Sequence, residues 1–153
     1  MLTKPLETTF PIIIAEDDED DYMLIMEALT EAGIGSNVSW VKDGEELMDS
    51  LNEMTDFQEK AGPPHPNRPS LILLDLNMPR KDGREALQEI KGHQMLRKIP
   101  VVVLTTSKSE TDIDFSYDLG VNSFIQKPVR FAEFVEMVKV LSQYWFSIVK
   151  LPS

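Results

Sequence analysis

The sequence predicts an α/β fold: a doubly wound, five-stranded parallel sheet flanked by five helices. Three observations predict it. Short unbroken apolar runs such as Ile12-Ile13-Ile14-Ala15, Leu71-Ile72-Leu73-Leu74 and Val101-Val102-Val103-Leu104 read as strands buried on both faces. Segments with helical periodicity alternate with them, and that alternation is the mark of a parallel sheet. Several apolar runs also end on a charge or hydroxyl, as strands do when they reach the carboxyl edge of a sheet where ligands bind.

The first strand is expected over 10–15. Tyr22, Met23, Ile25, Met26 and Leu29 then recur at helix spacing, and the helix stops near Gly33 as a C-terminal glycine would stop it. A second strand, 38–41, precedes the turn signal Asp43-Gly44 and a helix over 45–54. Residues 58–69 carry Gly62, Pro63, Pro64, Pro66 and Pro69, and are expected to form a loop without a regular element. The third strand covers 71–74, and a helix over 84–90 follows Asp82-Gly83. The fourth strand, 100–104, leads to a helix over 109–119 that opens on Ser109 and closes at Gly120. A short strand over 123–125 and a helix over 130–149 complete the order. Residues 1–9 are left as an N-terminal extension, 10–149 as one domain and 150–153 as a tail, with no output domain expected.

Composition narrows the function. The 153 residues include 26 acidic and 15 basic side chains, for a net charge of −11. That balance argues against binding nucleic acid through its phosphates. The absence of cysteine removes disulfides, thiolate catalysis and Cys-ligated zinc. The start lacks a signal-type apolar stretch and no run has membrane-spanning length, so the expectation is a cytoplasmic protein with no membrane partner.

The charges at the strand ends carry the chemistry. Glu16 and Asp17 follow the first strand, Asp75 the third and Lys127 the fifth. Together they would form a cluster of carboxylates with one ammonium, suited to a divalent cation and a phosphoryl group. Pro79 prevents the chain after Asp75 from continuing as strand or helix. A carboxylate held on a strand tip beside a cation can attack phosphorus; it can also simply hydrogen-bond a turn. Glu16, Asp17 and Asp75 offer the hard oxygen ligands that Mg²⁺ prefers. Asp18, Glu19, Asp20 and Asp21 fit better as the cap and acidic first turn of a helix. An EF-hand reading fails, because the position needing glycine holds Tyr22. Thr105 stands at the same edge, where its hydroxyl could donate to a phosphate oxygen or make a local backbone bond, with Thr106 or Ser107 equally placed on propensity. Lys127 precedes Pro128, whose peptide could be cis or trans. His65 and His93 are expected on the surface, away from this cluster.

The ordered set of acidic pair, Asp75 in Leu74-Asp75-Leu76-Asn77-Met78-Pro79, Thr105 after a hydrophobic strand and Phe124-Ile125-Gln126-Lys127-Pro128 resembles the receiver domain of two-component response regulators. The resemblance runs from Phe10 to about Val149. It implies the flavodoxin-like fold and a phosphoacceptor switch rather than an enzyme. It further implies Asp75 as phosphoacceptor, and Mg²⁺ on Glu16, Asp17, Asp75 and the backbone carbonyl of Asn77. Thr105 and Phe124 become the switch pair, and Lys127 the phosphoryl contact. Phe124 lacks the hydroxyl of the tyrosine frequent at that position. A Mg²⁺-dependent phosphatase with an Asp nucleophile fits less well, because Asn77 stands where such enzymes carry a second carboxylate. The stretches Gly83-Arg84-Glu85-Ala86-Leu87, Leu104-Thr105-Thr106-Ser107, Ser116-Tyr117-Asp118-Leu119-Gly120 and Tyr144-Trp145-Phe146 are similar to single-domain regulators paired with phytochrome-type histidine kinases. A histidine kinase is the partner this implies, the alternative being a stand-alone receiver that serves another kinase as a phosphate shuttle.

The last helix carries two apolar stripes where packing on a sheet needs one. The first is Phe131, Phe134, Val135, Val138, Leu141 and Trp145; the second is Met137, Val140, Tyr144 and Ile148. The second stripe, with Trp145 in the aromatic ending, is the expected surface of a homodimer, the alternative being an aromatic tail folded back onto its own domain.

Overall fold

The computed structural model describes residues 10–35, 37–61 and 68–148. One parallel sheet runs in the order β2-β1-β3-β4-β5, from β1 (Ile12–Ala15), β2 (Val38–Val41), β3 (Leu71–Leu74), β4 (Val101–Thr105) and β5 (Ser123–Gln126). The helices are α1 (Glu19–Glu31), α2 (Gly44–Ala61), α3 (Gly83–Gly92), α4 (Glu110–Asp118) and α5 (Phe131–Gln143), the last continuing as a π-helical turn over Tyr144–Ile148.

Side chains alternate across a strand, so each apolar run supplies two cores at once. Ile13, Ala15, Ile72, Leu74, Val101 and Val103 pack on one face against Leu47 and Leu51 of α2 and Leu87 and Ile90 of α3. Ile12, Ile14, Leu71, Leu73, Val102 and Leu104 pack on the other against Ile25 and Leu29 of α1 and Phe134 and Val138 of α5. Each such burial contributes about 1.5–3 kcal/mol, which explains why the three central strands β1, β3 and β4 show no polar alternation. The chain leaves β1 for β2 on one side and returns to β3 on the other. The loops after β1 and β3 therefore diverge, and a crevice opens at the carboxyl edge between them.

Several expectations are corrected. Helix α2 extends past residue 54 to Ala61, because Gln58-Glu59-Lys60-Ala61 are helix formers and the first breaker is Gly62. A 3₁₀ turn, Leu96–Lys98, precedes β4. Phe131 is exposed rather than inward, since α5 begins beyond the sheet edge. Trp145, expected on a partner surface, is buried in the α1–α5 core, because it lies seven residues after Val138 on the inner stripe. His93 is half-buried, and its Nδ1 accepts the backbone N–H groups of Met95 and Leu96 at 3.1 and 3.3 Å. Residues 1–9, His65, the tail 150–153 and the Ile148 side chain lie outside the described set. Among the described residues no helix is long and apolar enough to cross a membrane.

Candidate functional site

Main-chain bonds carry the ladder one rung beyond the strands and fix three charged residues there. Glu16 N–H donates to Val41 O at 3.0 Å, Asp75 N–H to Ala15 O at 3.0 Å, and Lys127 N–H to Thr105 O at 2.7 Å. The side chains then converge. Lys127 Nζ lies 2.6 Å from Glu16 Oε1, 3.0 Å from Asp75 Oδ2 and 2.7 Å from Asp21 Oδ2. Asp75 Oδ1 accepts the Asn77 N–H at 3.1 Å, so both oxygens of this carboxylate are held. The Lys127–Pro128 peptide is trans.

Asp17 is exposed, whereas Glu16, Asp75 and Lys127 are buried at the floor of a cleft of about 750 Å³. Asp17, Asp20, Asn77 and Thr106 also line it. Carboxylate oxygens of Glu16, Asp17 and Asp75 lie within 4.8 Å of one another, and this hard-donor set fits a divalent cation. Burial first, and the Asp75 charge second, push the Glu16 carboxyl up to about 8. Burial alone would lower Lys127, but the hydrogen bonds it donates to Asp21 and Glu16 and the surrounding carboxylate charges outweigh it, so the ammonium titrates above its ordinary value. One lysine cannot neutralise the whole cluster, and Glu16, the most buried of these acids, is the one pushed upward.

The loop holding the acids is braced from both ends. Asp18 caps α1 by accepting Asp21 N–H at 3.1 Å, and Glu16 Oε2 accepts Asp18 N–H at 3.1 Å. Trp40 on edge strand β2 donates its Nε1–H to Glu16 O at 2.7 Å and stacks on Tyr22 with ring centroids 3.8 Å apart. On the far side of Asp75 the chain folds back on itself. Gly83 N–H donates to Leu76 O at 2.9 Å, and a Cβ on Gly83 would come within 2.2 Å of Asp75 O. Only glycine fits there.

Of the residues expected at the site, Glu16, Asp17, Asp75, Asn77 and Lys127 meet in one cleft. Thr105 ends β4 fully buried, and its place on the cleft wall is taken by Thr106. Its hydroxyl accepts Ser107 N–H at 3.3 Å and lies 3.5 Å from Asn77 Nδ2. Phe124 is half-buried on β5, with its N–H donating to the Tyr117 hydroxyl at 3.1 Å. The sequence reading missed Asp21, Trp40, Arg84 and Asp112. Asp21 was legible: it stands one helical turn after Asp18 and so projects back over the strand ends.

A family model described as the response regulator receiver domain matches residues 12–139. The chain belongs to the receiver family. It is 39% identical over 142 residues to "Response regulator Rcp1" from Synechocystis sp., covering 93% of this chain and 92% of that one. Among solved structures, the phosphorylated cyanobacterial phytochrome response regulator RcpA superposes on this receiver with a TM-score of 0.82, at 42% identity, covering 95% of this chain and 100% of that one. The Mn²⁺-bound form of Rcp1 superposes with a TM-score of 0.78 at 39% identity, covering 93% and 98%.

Proposed function

We propose that this receiver is a phosphoryl-accepting switch in two-component signalling, with Asp75 as acceptor and a phytochrome-type histidine kinase as donor. One observation carries the reading: Asp75 sits at the end of β3 with an ammonium on one oxygen and two further carboxylates beside it. A carboxylate oxygen of Asp75 attacks the phosphorus of the donor phosphohistidine. The N–P bond breaks, and its electron pair leaves with the imidazole. Held by Glu16, Asp17, Asp75 and the Asn77 carbonyl, Mg²⁺ would supply charge neutralisation for the transferring group. Lys127 already lies against Asp75 and moves from carboxylate to phosphoryl oxygen with little displacement. The Thr105 hydroxyl turns into the cleft and donates to a second phosphoryl oxygen, and Phe124 fills the space it leaves.

Charge-assisted bonds contribute about 1.5–3 kcal/mol each, and inverting a 1:99 equilibrium takes about 5.5 kcal/mol. Two or three such bonds therefore suffice to reset the surface made by α4, β5 and α5. Water later attacks the phosphorus, inorganic phosphate leaves and the carboxylate is restored. Support for the light-signalling assignment comes from the names of the relatives, Rcp1 and the phytochrome regulator RcpA. Incubation with acetyl phosphate and Mg²⁺ tests the acceptor: one phosphate on Asp75 is expected, and none in Asp75→Asn. Turnover of the donor without a labelled Asp75 would instead favour a phosphatase.

A homodimer through α5 belongs to the same reading. Val140 and Tyr144 are 56% and 51% exposed, and with Met137 and Leu141 they line an apolar groove of about 710 Å³. Sedimentation of the receiver at micromolar concentration, with and without phosphorylation, tests it, and a monomer in both would end it.

A further inference from the structure

We propose that Arg84 is a positioning residue for phosphoryl uptake, because its guanidinium secures both groups that hold the Thr105 hydroxyl: Asn77 directly, and Ser107 through Asp112. The proposal rests on the reading of Asp75 as phosphoacceptor and adds a control on it. Thr105 faces the Ser107 N–H and the Asn77 amide rather than the cleft. Both bonds use the Thr105 oxygen as acceptor, and turning the hydroxyl toward a phosphoryl oxygen on Asp75 strains them.

Each holder is tied to the same side chain. Arg84 Nη2 lies 3.3 Å from Asn77 Oδ1, which orients the amide with Nδ2 toward Thr105. The guanidinium also forks onto Asp112, Nε to Oδ1 at 2.7 Å and Nη2 to Oδ2 at 2.6 Å. Such two-point, charge-assisted pairs are among the strongest side-chain bonds. Asp112 Oδ2 in turn accepts the Ser107 hydroxyl at 2.7 Å, and Ser107 Oγ accepts Ser109 N–H at 3.2 Å, which fixes the turn between β4 and α4. The Arg84 hydrogen bond holds the Asp112 carboxyl below its ordinary value, so the pair stays charged.

Helix α4 gives this fork unusual leverage. Its buried residues are Asp112 and Ser116, not apolar ones, and Ser116 Oγ has no hydrogen-bond partner among the described residues. A helix whose apolar side chains are at most half-buried depends more on its polar anchors. Arg84 holds the end of α4 nearest the site, and Tyr117 near the other end accepts the Phe124 N–H. Letting go of Asp112 therefore frees the Thr105 turn and loosens the helix that contacts the Phe124 strand.

The competing view is a plain staple between α3 and α4 with no link to Thr105. Beryllofluoride with Mg²⁺, a phosphoryl mimic, separates the two when titrated into wild type, Arg84→Gln, Asp112→Asn and the Arg84→Gln/Asp112→Asn double variant, each with and without Thr105→Ala. Both single variants should bind the mimic about tenfold tighter, the double variant no tighter than either, and the gain should vanish without the Thr105 hydroxyl. Unchanged or weaker binding in either variant overturns the proposal, as does a gain of equal size in the Thr105→Ala background. Should wild type accept no phosphate on Asp75 from acetyl phosphate, the reading of the site falls first and the proposal with it.

Discussion

Lys127 meets Glu16, Asp21 and Asp75 with an ammonium almost removed from water, its side chain only 3% exposed. Removing one partner of a buried ion pair typically costs about 3–5 kcal/mol, because the remaining charge is left uncompensated. Lys127→Met should therefore lose about 3 kcal/mol in urea unfolding with chelator present. Added Mg²⁺ should restore more stability to the variant than to wild type, since the cation takes over the neutralising role. Glu16 sets the pH response. Its folded value is raised from 4.5 to about 8, so its contribution is complete below the unfolded value and lost as pH rises through the folded one. Chelated protein should lose thermal stability across that window, Glu16→Gln should flatten the loss, and Mg²⁺ affinity should climb over the same range. Asp75, Lys127 and the Glu16-Asp17 pair were legible in the sequence because each stands where an apolar run stops. Arg84 and Asp112 were not, since their meeting depends on how two helices approach, and neither local pattern encodes that.

Among the elements, the turn between β3 and α3 is tightly held. Asp82 caps α3 by accepting the N–H groups of Arg84 and Glu85 at 2.8 and 3.2 Å, and Gly83 packs on the Asp75 carbonyl. Overpacking in tight sites typically costs about 1–3 kcal/mol. Gly83→Ala sets a Cβ against backbone that cannot retreat without moving Asp75. It should cost about 2 kcal/mol in urea unfolding and also slow phosphorylation by acetyl phosphate, whereas Asp82→Ala should cost about 1 kcal/mol. Strand positions could be read almost to the residue because buried parallel strands leave an unbroken apolar signature. Helix ends were harder. The far end of α2 and the Leu96–Lys98 turn lack apolar periodicity, and the exposed Phe131 kept a helical pattern without a surface to cover.

The whole molecule carries 11 net negative charges, and several crowd one edge of the sheet. Self-repulsion of that kind is screened over about 8 Å at physiological ionic strength. Raising monovalent salt should thus increase the melting temperature of the chelated protein, and the gain should shrink once Mg²⁺ is present. The fold class was legible because alternation of element types restricts topology to few choices. The burial of Trp145 was obscured by two apolar stripes competing for one sheet.

Trp40 and Trp145, the chain's two indoles, stand at opposite edges of the sheet, because α5 runs back from the end that carries Lys127. Trp40 grips the carbonyl of Glu16, while Trp145 is buried at the base of the α5 groove. The protein thus contains its own optical gauge: paramagnetic Mn²⁺ should dim emission from the first and spare the second. Trp40→Phe should abolish the dimming, and Trp145→Phe should leave it intact.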